Sequence, residues 1–420
     1  MRDSGTSHRI VGSVRAFFNS PLPLFVLAHF THHVITAVAA PLLPLIRTSF
    51  ELSYTQSGLL LTSFTMAYGL GHLPSGWLTD RISPVIMILV GTVGVAIAGI
   101  LFGLAPTFPL LVVANGLIGL AASGYHPAAS YLISRVTRPE QRGSALGIHV
   151  IGGSASYFVA PLLAGGIAMA LGWRNTYLAL SLPTLLLGVV LVILLRRSAS
   201  RSGASVREKR PNTSESHSRR FWAWLISFLV LTTASGALVG SAIGFIPLLL
   251  VDSLGLRAEA SAGLLALIFS AGFWVAPLAG YLSDRIGKIP LLFGACVMVI
   301  PTIYFLPRVP VGPGLYVLLI LIGVFIFVRM PVSESFLFSH APAKRRSTLL
   351  GVYFLGASLG GGVFTPVIGR LSDLHSFQRS FAVVALALLV TTVVCGGLLA
   401  IFRGAGSETN DPSPAAQQET

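Results

Sequence analysis

Long apolar stretches alternate with short polar ones along most of the chain. A helix needs about 20 apolar residues to span a bilayer, and twelve stretches of about that length can be traced. Numbered in chain order, these spans cover about 22–46, 55–79, 84–104, 108–133, 143–169, 174–195, 221–250, 259–283, 288–307, 314–339, 348–370 and 378–402. A transmembrane β-barrel would show alternating strands of about ten residues instead. The pattern predicts an all-α membrane protein with twelve transmembrane helices.

Two longer polar stretches divide the chain. Residues 197–220 are rich in Ser, Arg and Lys and have no apolar periodicity, which is typical of a flexible linker. Residues 404–420 form a polar tail that is expected to be disordered. The predicted organisation is a six-helix half at 1–196, a linker at 197–220, a second six-helix half at 221–403, and the tail.

The two halves repeat each other in sequence. Gly76–Ile82 reads GWLTDRI and returns 204 residues later as GYLSDRI at Gly280–Ile286. The same register relates Pro127 to Pro331, and Arg142-x4-Gly147 to Arg346-x4-Gly351. One offset shared by three separate places indicates an internal duplication. We therefore expect two pseudo-symmetric six-helix halves.

Charge distribution predicts how the chain sits in the membrane. Only 10% of its residues are charged, against about 25% in soluble proteins, and the net charge is +14. If the N-terminus is cytoplasmic, 21 of the 28 Lys and Arg residues fall on the cytoplasmic side. The positive-inside rule then predicts a multi-pass plasma (inner) membrane protein with both termini in the cytoplasm. The lipid bilayer, rather than a nucleic acid, is the expected partner of this charge.

The repeated segment resembles the signature of the major facilitator superfamily, G-x-L-x-D-R-x-G-R-K/R. It matches at Gly76, Leu78, Asp80 and Arg81, and again at Gly280, Leu282, Asp284, Arg285, Gly287 and Lys288. The first copy departs from the signature, since Ser83-Pro84 replace the Gly and the basic residue. The resemblance implies two six-helix halves that rock around a central cavity lined by helices 1, 4, 7 and 10.

A closer resemblance points to one branch of that superfamily. Tyr125–Ser130 (YHPAAS) and Phe50–Leu60 look like the corresponding segments of the fosmidomycin-resistance branch. That branch often has acidic residues where this chain has Ala128 and, on our alignment, His33. Span 5 also resembles, in degenerate form, the small-residue pattern of drug–proton antiporters, with Gly147, Ser156, Ala160-Pro161 and Ala164-Gly165.

The signature residues predict a conformational gate. Asp80-Arg81 and Asp284-Arg285 end spans 2 and 8 on the predicted cytoplasmic side, where Arg142 and Arg346 are candidate partners. Such pairs could form and break as the halves rock. The alternative is that these charges are plain topological anchors on solvated loops.

Two charged residues lie well inside a span, Arg329 and Glu334 of span 10. A charge at this depth is costly unless it faces a cavity or a partner. The two are about 140° apart around a helix, and Pro331 lies between them. We expect Arg329 to face the cavity and contact an anion or serve as charge partner of a proton carrier; the alternative is a structural ion pair with a neighbouring helix.

Histidines are the other unusual feature of the spans. Seven of the ten lie in or at the end of a span: His29, His32, His33, His72, His126, His149 and His340. His29 and His33 share a helix face, and Asn115 and His126 nearly do. The resemblance to the superfamily implies that these residues, together with His149, line the cavity. Histidine titrates near neutrality and could carry a proton; the alternative is polar contact between helices.

No metal site and no cofactor are predicted. His29, His32 and His33 are the one candidate metal site, but no carboxylate or thiol lies near them in sequence. Cys296 and Cys395 both fall within spans and are expected to be buried apolar side chains.

These observations predict a monomeric secondary active transporter, not an enzyme, that works by alternating access. No G-x4-G-K-S/T loop for ATP is present in the sequence. The favoured expectation is proton-coupled efflux, as by an antiporter, of a small anionic or neutral organic compound. Proton-coupled uptake of a small organic anion is the first alternative. A membrane receptor or scaffold without transport activity is the alternative from another class.

Overall fold

The computed structural model describes residues 20–137, 142–201, 217–342 and 345–406. Most of the predicted linker and tail lies outside these residues. Within the described ranges all regular secondary structure is helical. The prediction of an all-α protein is therefore confirmed.

The helices follow the predicted spans closely. In chain order they are α1 (Leu22–Thr36 and Ala39–Phe50), α2 (Tyr54–Arg81), α3 (Pro84–Leu104), α4 (Phe108–Ala122 and Tyr125–Val136), α5 and α6 (the two parts of Arg142–Arg201), α7 (Arg219–Asp252), α8 (Ala258–Ser270 and Val275–Ile286), α9 (Lys288–Phe305), α10 (Pro313–His340), α11 (Arg346–Leu374) and α12 (Phe377–Ile401). α5 and α6 are divided at Gly172, which has a φ of 78°. Glycine adopts this backbone conformation readily, whereas other residues would be strained in it. Short 3₁₀ turns occur at Ala271–Phe273, Leu306–Arg308 and Arg403–Gly406.

The length and apolarity of the helices fit a membrane. Nine helices in the described ranges are long and apolar enough to cross it, and a bent pair, Ala258–Phe273 with Leu278–Ile286, makes ten. One of the nine, Ala145–Arg197, has 53 residues. At about 1.5 Å per residue it is long enough for two crossings of a bilayer core of about 30 Å. With α2, which has 28 residues, the described chain accounts for the twelve predicted crossings.

The duplication seen in the sequence recurs in the helices. α3 and α9 begin at Pro84 and Lys288, and α5 and α11 begin at Arg142 and Arg346, each pair 204 residues apart. Packing repeats as well. A Cβ on Gly119 of α4 would lie 2.3 Å from the carbonyl oxygen of Phe64 in α2. A Cβ on Gly323, the equivalent residue of α10, would lie 2.0 Å from the carbonyl oxygen of Ile268 in α8. Only glycine allows either pair of helices to approach so closely.

The two ends of the bundle differ in how the halves meet. Because the number of crossings is even, residues 20 and 406 lie at one end, called here the terminal end, and the opposite end is the distal end. α2 packs along α11, and α5 packs along α8. Within the described residues, the hydrogen bonds that join the halves lie at the distal end or toward it, from Arg47–Asp252 to Thr62–Gly362. The described part of the bundle is therefore closed distally.

Candidate functional site

Five histidine rings meet inside the N-terminal half. They come from three helices: His29, His32 and His33 from α1, His126 from α4 and His149 from α5. The His29 ring stacks on that of His149 with centroids 4.2 Å apart and lies 4.9 Å from His33 and 5.1 Å from His126. In the described residues, no hydrogen bond or ion pair joins these rings to a carboxylate. The cluster unites four predicted cavity residues with His32.

Three helices depart from regular α-helical geometry beside this histidine cluster. α1 is interrupted after Thr36, α4 is interrupted at Ser123-Gly124, and Val90–Gly94 of α3 form a π-helical turn. The π-turn lies beside His32, whose Nδ1 donates a hydrogen bond of 2.6 Å to the Gly91 carbonyl. Such turns occur often at functional sites.

Backbone groups orient the rings of the cluster. His29 Nδ1 donates to the carbonyl oxygen of His149 at 2.8 Å, and His149 Nδ1 donates to that of Phe25 at 3.1 Å. Gly153 makes room for His29, since a Cβ at this position would lie 2.6 Å from the ring. The ring orientations of His29, His32 and His149 are thus set by the backbone of a neighbouring helix.

Arg329 lies inside the C-terminal half without an acidic partner. Its Nη1 donates to the Tyr353 hydroxyl of α11 at 2.9 Å and to the Thr232 carbonyl of α7 at 3.3 Å. Its Nε is buried and has no hydrogen-bond acceptor. A Cβ on Gly236 would lie 2.7 Å from the guanidinium carbon, so α7 has room for this group only because residue 236 is glycine.

Glu334 lies within electrostatic reach of Arg329 on the same helix. Both side chains are partly exposed, yet no ion pair within 4.0 Å joins them in the described structure. Their angular separation of about 140° on α10 explains this. Among the described residues, no ion pair joins Arg329 to a neighbouring helix either, so the alternative of a structural ion pair is not seen there.

The two polar clusters occupy equivalent positions in the two halves. Arg329 lies 204 residues after Tyr125, which stacks on the His32 ring at 4.5 Å. Tyr353, which accepts from Arg329, lies 204 residues after His149. The pseudo-symmetry therefore places both clusters at corresponding depths on either side of the interface between the halves.

Asn115 is not part of the histidine cluster. It is buried, and its Nδ2 donates to the Leu60 carbonyl of α2 at 2.7 Å and to the Ser63 hydroxyl at 3.3 Å. It therefore ties α4 to α2 within one half.

Arg81, Asp284 and Arg285, the predicted gate residues whose side chains the structure describes, make no ion pair with another described residue. Arg81 lies over the ring of its own helix neighbour Trp77 at 4.2 Å, and Arg285 lies over Tyr281 at 4.5 Å. Asp284 is exposed, and none of the ion pairs among the described residues involves it. The side chains of Asp80, Arg142 and Arg346 lie outside the described structure.

A hydrogen-bonded latch closes the distal end, and sequence reasoning did not anticipate it. Asp252 of α7 accepts from Arg47 Nη1 of α1 at 2.9 Å and from the Tyr54 hydroxyl of α2 at 2.8 Å. Asp373 of α11 accepts from the backbone N–H groups of Tyr54 and Thr55 at 2.8 and 2.9 Å, and from the Thr55 hydroxyl at 2.5 Å. These five residues form the distal latch. The sequence contained one indication of this contact: Arg47 and Asp252 have opposite charges and are 205 residues apart, close to the repeat offset of 204 residues.

Comparison with known proteins agrees with this architecture. A family model described as Major Facilitator Superfamily matches residues 25–365. The chain is 25% identical over 399 residues to a probable 4-methylmuconolactone transporter of Cupriavidus pinatubonensis, covering 89% of this chain and 90% of that protein. It is 24% identical to the cis,cis-muconate transport protein of Acinetobacter baylyi (373 residues; 85% and 87% covered) and 24% identical to the fosmidomycin resistance protein of Escherichia coli (379 residues; 90% and 90% covered).

A solved structure has the same fold. It is a bacterial homologue of the human lysosomal transporter Spinster in an inward-facing, unoccupied conformation, with a TM-score of 0.68 and 20% identity. The alignment covers 94% of this chain and 97% of that one. Relatives and fold are those of transporters rather than enzymes, and the resemblance predicted from sequence, including that to the fosmidomycin-resistance branch, is confirmed. The chain is a multi-pass membrane protein and secondary transporter that belongs to the Major Facilitator Superfamily.

Proposed function

We propose that the protein transports a small organic carboxylate across the plasma membrane, with the anion bound at Arg329 and a proton at Glu334. The observation that carries this proposal is the guanidinium without an acidic partner. A cation within a membrane span is costly unless it faces a cavity or an anion compensates it. Nη1 is occupied by Tyr353 and Thr232, whereas the buried Nε has no acceptor. A side-chain shift that opens the edge formed by Nε and Nη2 would allow bidentate binding of a carboxylate.

Electrostatics favours binding the proton and the anion together. An ionised Glu334 near Arg329 repels an incoming carboxylate and competes for the guanidinium. Protonation of Glu334 removes that competition, so proton and anion bind cooperatively. Cooperative binding corresponds to symport, and an inward proton gradient then drives uptake. Relatives whose names refer to muconate and 4-methylmuconolactone support an organic acid as substrate.

Export by proton antiport is the second candidate. It is supported by 24% identity to the fosmidomycin resistance protein and by the small-residue pattern of α5. If the termini are cytoplasmic, as the charge count predicts, the closed distal end faces outward in either case.

Reconstitution into proteoliposomes tests this function. We expect counterflow of labelled cis,cis-muconate, and we expect an acidic exterior to drive its accumulation. Accumulation driven by an acidic interior would instead support antiport. Lack of counterflow with muconate, sulfoacetate and fosmidomycin alike would contradict the proposal for organic anions.

A second test concerns the predicted gate at the terminal end. Asp284→Asn is expected to change the transport rate by up to about fivefold, because a gate pair contributes on the order of 1 kcal/mol to one conformation. The ratio of rates for muconate and sulfoacetate should stay constant, since Asp284 lies at the end of α8 and not beside Arg329. A changed substrate ratio would assign Asp284 to the substrate site instead.

A further inference from the structure

We propose that His29, His33 and His126 bind a divalent transition metal ion such as Zn²⁺. One ligand nitrogen from each ring lies within 4.8 Å of the other two, and His29 Nε2 lies 3.1 Å from His33 Nε2. Zinc with bonds of about 2.0–2.1 Å to tetrahedral nitrogen ligands separates those nitrogens by about 3.4 Å. The His29–His33 pair is already close to this spacing, and a small approach of the His126 ring completes the set.

The hydrogen bonds made at Nδ1 of His29 and His33 leave Nε2 of each ring able to bind a metal ion. His29 Nδ1 faces a carbonyl oxygen, which can only accept, so Nδ1 carries the proton and Nε2 of the neutral ring has a lone pair. His33 Nδ1 lies 3.0 Å from the Thr36 hydroxyl, which can in turn donate to the His33 carbonyl at 3.2 Å. In that arrangement Nε2 of His33 also has a lone pair.

Two lone pairs at 3.1 Å repel each other unless a cation lies between them. In the metal-free protein the Thr36 hydroxyl can turn to donate to His33 Nδ1, which allows His33 Nε2–H to donate to His29 Nε2. A metal ion selects the other tautomer of His33. Metal-binding histidines commonly donate their second ring N–H to a carbonyl or another outer acceptor in this way.

The surroundings fit a transition metal rather than a hard cation. The ligands are all imidazole nitrogens, which suit zinc, copper or nickel, whereas Mg²⁺ and Ca²⁺ prefer oxygen. His29 and His33 are 5% and 8% exposed, whereas His126 is partly exposed, so access is from the His126 side. Three protein ligands leave the fourth tetrahedral position open. Since no carboxylate offsets the two positive charges, an anion is the favoured fourth ligand.

The tertiary structure changes which histidines belong together. From the sequence, the trio considered was His29, His32 and His33, all on α1. The structure turns His32 toward Gly91 of α3 and brings His126 from α4 in its place. The site therefore departs from the expectation that no metal is bound.

Titration of the purified transporter with Co²⁺ alone tests the site. The protein should carry an affinity tag without histidines and be treated with a chelator first. We expect about one equivalent to bind with the visible absorption of tetrahedral cobalt, and Zn²⁺ to displace it. Loss of a residue that hydrogen-bonds a metal ligand typically lowers metal affinity by about 10- to 100-fold. We expect a loss of cobalt affinity in this range for Thr36→Val, and a larger loss for His126→Ala, which removes a ligand.

His340→Ala is the matched control, because His340 lies at the terminal end of α10 and stacks on Phe336, away from the cluster. It should bind cobalt as the unmodified protein does. Absence of cobalt binding, or equal binding by His126→Ala and His340→Ala, would overturn the proposal. Because no organic anion is used, such a result leaves anion transport through Arg329 untouched, and failed muconate transport leaves the metal site untouched.

Discussion

Arg329→Gln is expected to abolish anion transport while the protein remains folded. Glutamine keeps a polar side chain but removes the positive charge and the two-pronged donor edge. Loss of one partner from a desolvated charge pair costs about 2–5 kcal/mol, and 2 kcal/mol corresponds to about 30-fold weaker binding. Muconate binding should therefore weaken at least about 30-fold, as measured by calorimetry in detergent and by counterflow in proteoliposomes.

Two further variants sharpen the Arg329 experiment. Arg329→Lys keeps the charge but not the planar fork of donors. We expect its affinity for muconate to lie between that of the wild type and that of the glutamine variant. Arg257→Gln is the matched control, because Arg257 is 75% exposed and pairs with Glu259 within α8. Unchanged muconate kinetics in Arg329→Gln would remove this residue from the substrate site.

Disruption of the distal latch is expected to shift the protein toward a conformation that is open at the distal end. Asp373 caps the N-terminus of α2 with three hydrogen bonds across the interface, and a carboxylate at a helix N-terminus also benefits from the helix dipole. The side chains of Arg47 and Asp252 are 28% and 24% exposed. Their ion pair should contribute less to the stability of the closed conformation, because solvent screens it. We expect Asp373→Ala to change the equilibrium by about 1–3 kcal/mol, or about 5- to 150-fold.

Distance measurements between spin labels on the distal ends of α1 and α7 would report this shift. Glu259→Gln serves as the control, since it breaks an ion pair inside one half only. If Asp373→Ala and Glu259→Gln gave the same distance distribution, the distal latch would not control opening.

Several features of the fold were readable from the chain because they depend on local composition. A bilayer core without water requires long apolar helices, so the spans could be counted, and the division at Gly172 separated spans 5 and 6 as expected. The duplication was equally visible, because GWLTDRI and GYLSDRI kept their register. Arg329 and Glu334 stood out because charged residues are rare within spans.

Pairing between distant residues could not be read in the same way. Asp373 and Thr55 are 318 residues apart, and their contact depends on how α2 lies against α11. His149 meets His29 because glycines at 152 and 153 let α1 approach α5 closely, and His126 joins His29 and His33 where α1 and α4 depart from regular helical geometry. His32 is turned away by the π-turn of α3, which the sequence did not indicate.

The sequence by itself determined the helical class, the number of crossings, the duplication and the family, since each follows from apolar length or from a repeated local motif. Only the tertiary structure decided which histidines share a cluster, that Arg329 lacks an acidic partner, and that the distal end is closed. The physical reason is that apolar periodicity specifies which segments enter the membrane, whereas contacts between side chains depend on interhelical distances set by packing at single positions such as Gly153 and Gly236.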